Sequence, residues 1–245
     1  MKTLFLSIIL LMTAFNIAFA QADSSKPFAV VELFSSEGCS SCPPADALLR
    51  QITSYARDNH QRIYTLSFQV DYWNNLGWTD PFSSPKFSER QQQYARVLSG
   101  GVYTPEMIIN GKEAFVGSDA DKAKQSIDHY LTIQPENNIV LNINQSGNDL
   151  KIDYTCAHQS LQSLINIALV ERGFESQVTA GENEGRTLKH DNIVREFKKI
   201  VLNNAKGSVS FSKPEGNDLS RFSVIAYVQS TGEMNISAAS GVDLQ

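Results

Sequence analysis

A short apolar run that stops at two cysteines is the feature that most limits how this chain can fold. Phe28 to Phe34 reads FAVVELF, bounded by Pro27 and Ser35. An almost continuous apolar run of this length fits a strand covered on both faces, as in a parallel sheet. It leads to Cys39-Ser40-Ser41-Cys42 and Pro43-Pro44, after which Ala45, Leu48, Leu49, Ile52, Tyr55 and Ala56 recur at helical spacing. Prolines suit a helix's first turn, where a missing N–H costs nothing. Ile63 to Val70 (IYTLSFQV) reads as a second strand, so the unit is β-α-β with both cysteines on the turn at the helix N-terminus.

The pattern then continues as a loop over Asp71 to Pro85, a helix from Lys86 to Leu98 stopped by Gly100-Gly101, and a strand at Met107 to Ile109. Asn110-Gly111 turns it into a second short strand, Ala114 to Val116, the strongest local hairpin signal there is. A helix from Asp119 to about Leu131 closes this first half. Beyond Gln134 the period changes. Ile139, Leu141 and Ile143 alternate with polar residues, as do Leu150, Ile152 and Tyr154 across a Ser-Gly-Asn-Asp turn. Further strand-like stretches are Leu164 to Glu171, Ile193 to Leu202, Ser208 to Phe211, Phe222 to Gln229 and Met234 to Ala238. About seven short strands in roughly 110 residues fit an all-β, immunoglobulin- or fibronectin-like sandwich.

Residues Met1 to Ala20 read as a signal peptide: Lys2, an apolar stretch from Leu4, and the small-x-small site Ala18-Phe19-Ala20. The 17 residues from Leu4 to Ala20 are short for a membrane span. The expected mature chain starts at Gln21 and is periplasmic or secreted, with no membrane attachment after cleavage. Of 245 residues 42% are hydrophobic, which excludes a disordered chain. With 26 acidic residues against 21 basic, a net charge of −5 and no basic block, nucleic acid is not expected as a partner.

Export gives the cysteines their meaning, because disulfides persist in an oxidising compartment. A C-x-x-C at a helix N-terminus places the first sulfur where free N–H groups and the helix dipole favour a thiolate. Cys39 is then the nucleophile and Cys42 the resolving thiol. Thr104-Pro105, ahead of a strand, is placed for a cis X-Pro bond beside the cysteines. Two other readings use the same sulfurs: a copper(I) or other metal-handling site, for which thiolates are soft ligands, and a structural disulfide in a non-catalytic binding protein. No resident metal and no cofactor are expected, since four scattered histidines do not complete a site. Cys156 ends an alternating strand and reads as a buried structural thiol. Asp71, Tyr72, Trp73 and Trp78, with Thr104, lie at the carboxyl edge of the sheet and are candidates for a client groove. The run Gly185 to Asp191 reads as an ordered loop near the join of the two halves; no nucleophile nearby in sequence gives His190-Asp191 a catalytic role.

The order strand, C-x-x-C helix, strand, helix, x-Pro, hairpin, helix resembles a thioredoxin-like domain. VVELFSSEGCSSCPPADALL, FQVDYWNNLGWTDPFS, YTPEMIINGKEAFVG and GRTLKHDNIVREF together resemble the domain of unknown function 1223 family, over about Val30 to Ala239. The resemblance implies an α/β thioredoxin-like domain over residues 21–135 and a β-sandwich-like domain over 136–245. Ser40-Ser41 stands where thioredoxins carry Gly-Pro, so redox direction does not transfer. Thioredoxins keep a buried acid beneath the cysteines, and Glu32 is the similar group, as a proton relay. The expected activity is thiol–disulfide exchange, the expected partners protein thiol or disulfide clients and a redox partner.

Overall fold

Strand β1 (Ala29–Ser35) is buried along its whole length, and its side chains go alternately to two different cores. In a computed structural model that describes residues 25–214 and 218–245, Ala29, Val31 and Leu33 pack with Ala45 and Leu49, while Val30 and Phe34 pack with Phe68, Phe87 and Tyr94. The expected signal peptide, Met1 to Ala20, and the expected mature start at Gln21 lie outside the described residues.

Helix α1 (Pro43–Asp58) follows β1 and leads to β2 (Ile63–Gln69), which runs parallel to β1 with Leu33 opposite Ser67. A single 3-10 turn, Asn74–Leu76, interrupts the loop before α2 (Pro85–Val97). Its start is fixed by Ser84, whose side chain accepts from the Lys86 amide, and by Pro85. β3 (Glu106–Ile109) and β4 (Glu113–Val116) form the hairpin that Asn110-Gly111 announces, both turn residues having positive φ. α3 (Ala120–Tyr130) is capped by Asp119.

The second half contributes β5 (Ile139–Ser146), β6 (Asp149–Cys156), β7 (Ser163–Glu171), β8 (Phe174–Gln177), β9 (Thr187–His190), β10 (Ile193–Val201), β11 (Lys206–Ser212), β12 (Phe222–Ser230) and β13 (Ile236–Asp243). Eight strands form one mixed sheet in the order β13-β12-β7-β10-β2-β1-β3-β4. β5, β6 and β11 make a three-stranded sheet whose Ile139, Leu150, Ile152 and Phe211 pack with Ile165, Ile167, Val224 and Ala226 of β7 and β12. The chain is thus mixed α/β with a large sheet and few helices. The residue-135 boundary is no break in that sheet, because β10 lies parallel beside β2, with Ile193 opposite Ser67. Asn192, just before β10, secures the junction through its Nδ2, which donates to Thr65 Oγ1 at 2.8 Å.

The first core runs across the junction, joining Phe34, Phe68 and Tyr94 to Ala168, Val194, Ile225 and Tyr227. Within it sits an ion pair. Arg90 of α2 is 1% exposed and Glu32 of β1 fully buried, with Nη2 to Oε1 at 2.7 Å. Arg90 Nε donates to the same carboxylate at 2.9 Å, Tyr227 Oη donates to it at 2.6 Å, and Tyr94 Oη also bonds it. Gln229 Oε1 accepts from both Arg90 Nη atoms, and the rings of Phe68, Tyr94, Phe197 and Tyr227 lie 5.0–5.6 Å from the guanidinium carbon.

Removing one partner of such a pair leaves an uncompensated buried charge. Arg90→Met is therefore expected to cost about 3–5 kcal/mol in urea unfolding, and Glu32→Gln in that background to recover part of it. An equal loss in the single and double variants would show that the charge pair is not the source.

Candidate functional site

Between β1 and α1 the chain makes a tight turn that two short bonds define: the Gly38 amide donates to Ser36 Oγ at 3.1 Å, and the Cys39 amide to the Ser36 carbonyl at 3.1 Å. Cys42 stands at the N-cap position of α1, with Pro43 and Pro44 opening the helix, and its carbonyl accepts from the amides of Ala45 and Asp46. Cys39 and Cys42 form a disulfide with Cα atoms 5.4 Å apart, and both residues are fully buried.

Thr104-Pro105 is a cis peptide bond. The Thr104 carbonyl oxygen lies 3.9 Å from Cys39 Sγ, and Ser41 Oγ lies 3.3 Å from that sulfur. Trp73 Nε1 donates to Thr104 Oγ1 at 2.8 Å, while a Cβ on Gly38 would stand only 3.1 Å from Trp73 Cβ. Gly117 is needed for the same closeness: a Cβ there would meet Leu33 Cδ1 at 2.7 Å and Pro105 Cβ at 3.1 Å. The fold thus gathers Cys39, Cys42, Trp73, Thr104 and Pro105 at one place. The other groove candidates border this group: Tyr72 also bonds the Thr104 side chain, and Trp78 reaches Glu37 beside Cys39. Asp71 binds Ser88 and Tyr72 Oη donates to Gln91 Oε1, both on α2, and Trp78 Nε1 donates to Glu37 Oε2 at 2.8 Å.

Glu32 is on the far side of the sheet from α1. Odd-numbered residues of β1 face α1, so Glu32 faces α2 with Val30 and Phe34, and its oxygens are taken by Arg90, Tyr94 and Tyr227. The resemblance to thioredoxins implies an acid beneath the cysteines at Glu32; strand parity sends it away from them.

The acids beside the disulfide are others. Glu37 is fully buried, its Oε1 3.1 Å from His190 Nε2, and its amide donates to Asp80 Oδ2 at 2.9 Å. Asp46, one turn into α1, is 6% exposed, with Oδ1 lacking a hydrogen-bond partner among the described residues. Burial pushes Asp46 up, and pushes Asp80 up to about 6. Burial works to raise Glu37 too, but hydrogen bonds from His190, Ser176 and Trp78 hold its carboxyl below the ordinary range. Burial lowers His190, yet the Glu37 bond and the charges of Asp46, Glu37 and Asp80 leave it raised. His190 does not pair with Asp191, whose carboxylate accepts from the Gly173 amide.

His190 belongs to a strand rather than a loop. β8 and β9 pair as a small hairpin, and the segment between them reaches the cysteine turn. Asn183 Nδ2 donates to the carbonyls of Glu37 and Cys39 at 2.8 and 2.9 Å, and Glu182 Oε2 accepts from the Ser40 amide at 3.0 Å. Glu37, Asp46, Asp80, Glu182 and Asn183 carry no motif; only their type, polar residues between Gly181 and Gly185 or beside Cys39, could have drawn attention.

Cys156 is a free buried thiol in the core between the two sheets, pushed up to about 11 by burial. Among the described residues no group of three or more His, Cys, Asp or Glu side chains is placed to hold a metal ion. No helix among the described residues is long and apolar enough to cross a membrane.

Glu106 follows Pro105, and Gln91 Nε2 joins its Oε2 at 2.7 Å to the Tyr103 carbonyl at 2.6 Å. Burial pushes its carboxyl from the ordinary 4.5 up to about 7, against the lowering effect of the Gln91 bond. A raised acid contributes stability that is complete below pH 4.5 and lost as the pH rises through about 7. Between about pH 5 and pH 8 the protein is expected to lose about 1–3 kcal/mol on this account. Urea unfolding at several pH values checks it: Glu106→Gln should lack that loss, and an unchanged slope would count against it.

No curated protein matches the sequence. A crystal structure of a protein from Agrobacterium tumefaciens is similar at 26% identity with a TM-score of 0.66, covering 89% of this chain and 94% of that one. A domain of the outer membrane lipoprotein Omp28 from Porphyromonas gingivalis is 10% identical over 45% of this chain and 89% of its own, with a TM-score of 0.29. The family model described as a protein of unknown function, DUF1223, matches residues 30–229. The chain belongs to the DUF1223 family.

Proposed function

We propose that this chain is an exported thiol–disulfide oxidoreductase whose first half is thioredoxin-like and whose β-rich second half completes the site. The observation that carries the reading is the Cys39–Cys42 disulfide at the start of α1, with the Thr104-Pro105 cis peptide carbonyl 3.9 Å from Cys39 Sγ. A helix N-terminus favours the thiolate form of the first cysteine. Cys39 forms the mixed disulfide with a protein client. Cys42 then attacks Cys39 Sγ and releases the client sulfur, so that two electrons move between client and pair. Pro105 shapes the client side, Trp73 holds Thr104 in place, and the Thr104 backbone faces an extended client chain. A separate redox partner returns the pair to its starting state.

A second reading is favoured by the complete burial of both cysteines: a disulfide that only braces the helix start in a binding protein. It requires a potential below about −300 mV and no exchange with clients.

Insulin reduction and the refolding of a scrambled disulfide protein separate the two. The mature chain is expected to be active, Cys39→Ser to fall to background, and Cys42→Ser to accumulate mixed disulfides with client. An unchanged rate in Cys39→Ser, or an inert wild type, would overturn the oxidoreductase reading.

A further inference from the structure

The β8–β9 hairpin belongs by sequence to the second half, yet its contacts are with the cysteine turn of the first. Glu182 occupies the Ser40 amide, Asn183 the carbonyls of Glu37 and Cys39, and His190 the Glu37 carboxylate. Gly181 lies against the Trp loop, where a Cβ would come within 3.2 Å of Trp78 Cβ. Each of these bonds links residues more than 140 positions apart in the chain.

The charges gathered there are lopsided. Four carboxyls, Glu37, Asp46, Asp80 and Glu182, surround the turn, and one imidazole, His190, faces them. The neighbouring cations are engaged otherwise: Arg50 donates to the Lys189 carbonyl, Arg186 to Asn183 Oδ1 at 2.7 Å, and the Lys189 ammonium pairs with Glu175 at 2.8 Å. Among the described residues Asp46 Oδ1 is buried without a hydrogen-bond partner, and Arg50 and His190 reach Asp46 only through their charge. A thiolate at a helix N-terminus is normally favoured by free amides. Here the Ser40 amide already serves a carboxylate, and like charges nearby disfavour a thiolate. Disfavouring the thiolate weakens the dithiol state relative to the disulfide, which makes a reduced pair a better electron donor.

We propose that this acidic surround, closed over the turn by the β8–β9 hairpin, fixes the direction of exchange: the reduced Cys39–Cys42 pair donates two electrons to disulfides in polypeptide substrates. The inference rests on the oxidoreductase reading above and assigns Glu182 and Asp46 as positioning residues for it. In the reaction the Cys39 thiolate attacks one substrate sulfur, and the other leaves as a thiolate and takes up a proton. Cys42 gives up its proton and attacks Cys39 Sγ, and the remaining substrate sulfur leaves and is protonated. The substrate ends as a dithiol and the pair as a disulfide, which an external dithiol donor reduces while being oxidised itself.

The test equilibrates the full mature chain in dithiothreitol redox buffers and follows alkylation of Cys39 against pH. Glu182→Gln is expected to shift the thiol–disulfide equilibrium toward the dithiol by about twofold to fivefold, the size of a helix-terminus charge effect, and to move the alkylation midpoint to lower pH. Asp46→Asn should shift both the same way. Glu233→Gln, on the β12–β13 turn near Asn110, should leave both as in the wild type. If Asp46→Asn does not fold, the exposed Glu182→Gln still decides. No shift in Glu182→Gln, or a shift toward the disulfide, overturns the inference, and an active wild type then leaves the oxidoreductase reading standing. Shifted variants of a wild type that is inert toward insulin support the tuning by Glu182 and overturn the reading of the chain as an oxidoreductase.

Discussion

A buried charge must be paired, and Glu32 is paired by residues that two distant stretches of sequence supply. Its own strand lies in the middle of the sheet, Arg90 arrives on α2, and Tyr227 and Gln229 arrive on β12. Hydrophobic contact alone would tolerate several placements of α2 and β12 against β1, since apolar surfaces are non-directional. The guanidinium fork is not tolerant, because it must meet the carboxylate in one orientation with four rings around it. The position of α2 then sets the loop before it, and that loop carries Trp73 to Thr104 and Trp78 to Glu37.

The cysteine turn is held by close approach on one side and polar bonds on the other. Gly38 and Gly117 let Trp73, Leu33 and Pro105 come nearer than any side chain would permit. Opposite them, Asn183 and Glu182 fix the turn's backbone from the second half. The two halves are therefore parts of one site as well as of one sheet. An account of the cysteines that stopped at residue 135 would omit the groups nearest their backbone.

What could be read from the sequence was what is local. The β1–α1–β2 unit, the Asn110-Gly111 hairpin and the β5–β6 hairpin each follow from periodicity or turn chemistry within about forty residues. So did Cys39, Cys42 and the cis bond at Thr104-Pro105. Strand parity turns Glu32 away from α1, whereas the resemblance to thioredoxins implies a buried acid beneath the cysteines. The junction was not legible: β10 meets β2 through one register pair, Ile193 with Ser67, and nothing local names a partner so distant. β8 and β9 are four residues each, and Lys189 and His190 in the second give it the look of a polar loop. Hence His190 was seen without its partner Glu37, which stands 153 positions earlier.

The shared sheet also constrains the order in which the molecule can be made. A ribosome delivers β2 long before β10, so its outer edge, open to any passing strand, waits unpaired through more than a hundred residues of further synthesis. Over the same interval Glu32 and Arg90 lack Tyr227 and Gln229, and the first core lacks the side chains of β7, β10 and β12. The N-terminal half is in this sense an unfinished object rather than an early-folding module. Its completion is non-local, of the kind that slows folding, and a nascent chain interrupted before β10 would present both a sticky strand edge and a half-satisfied ion pair.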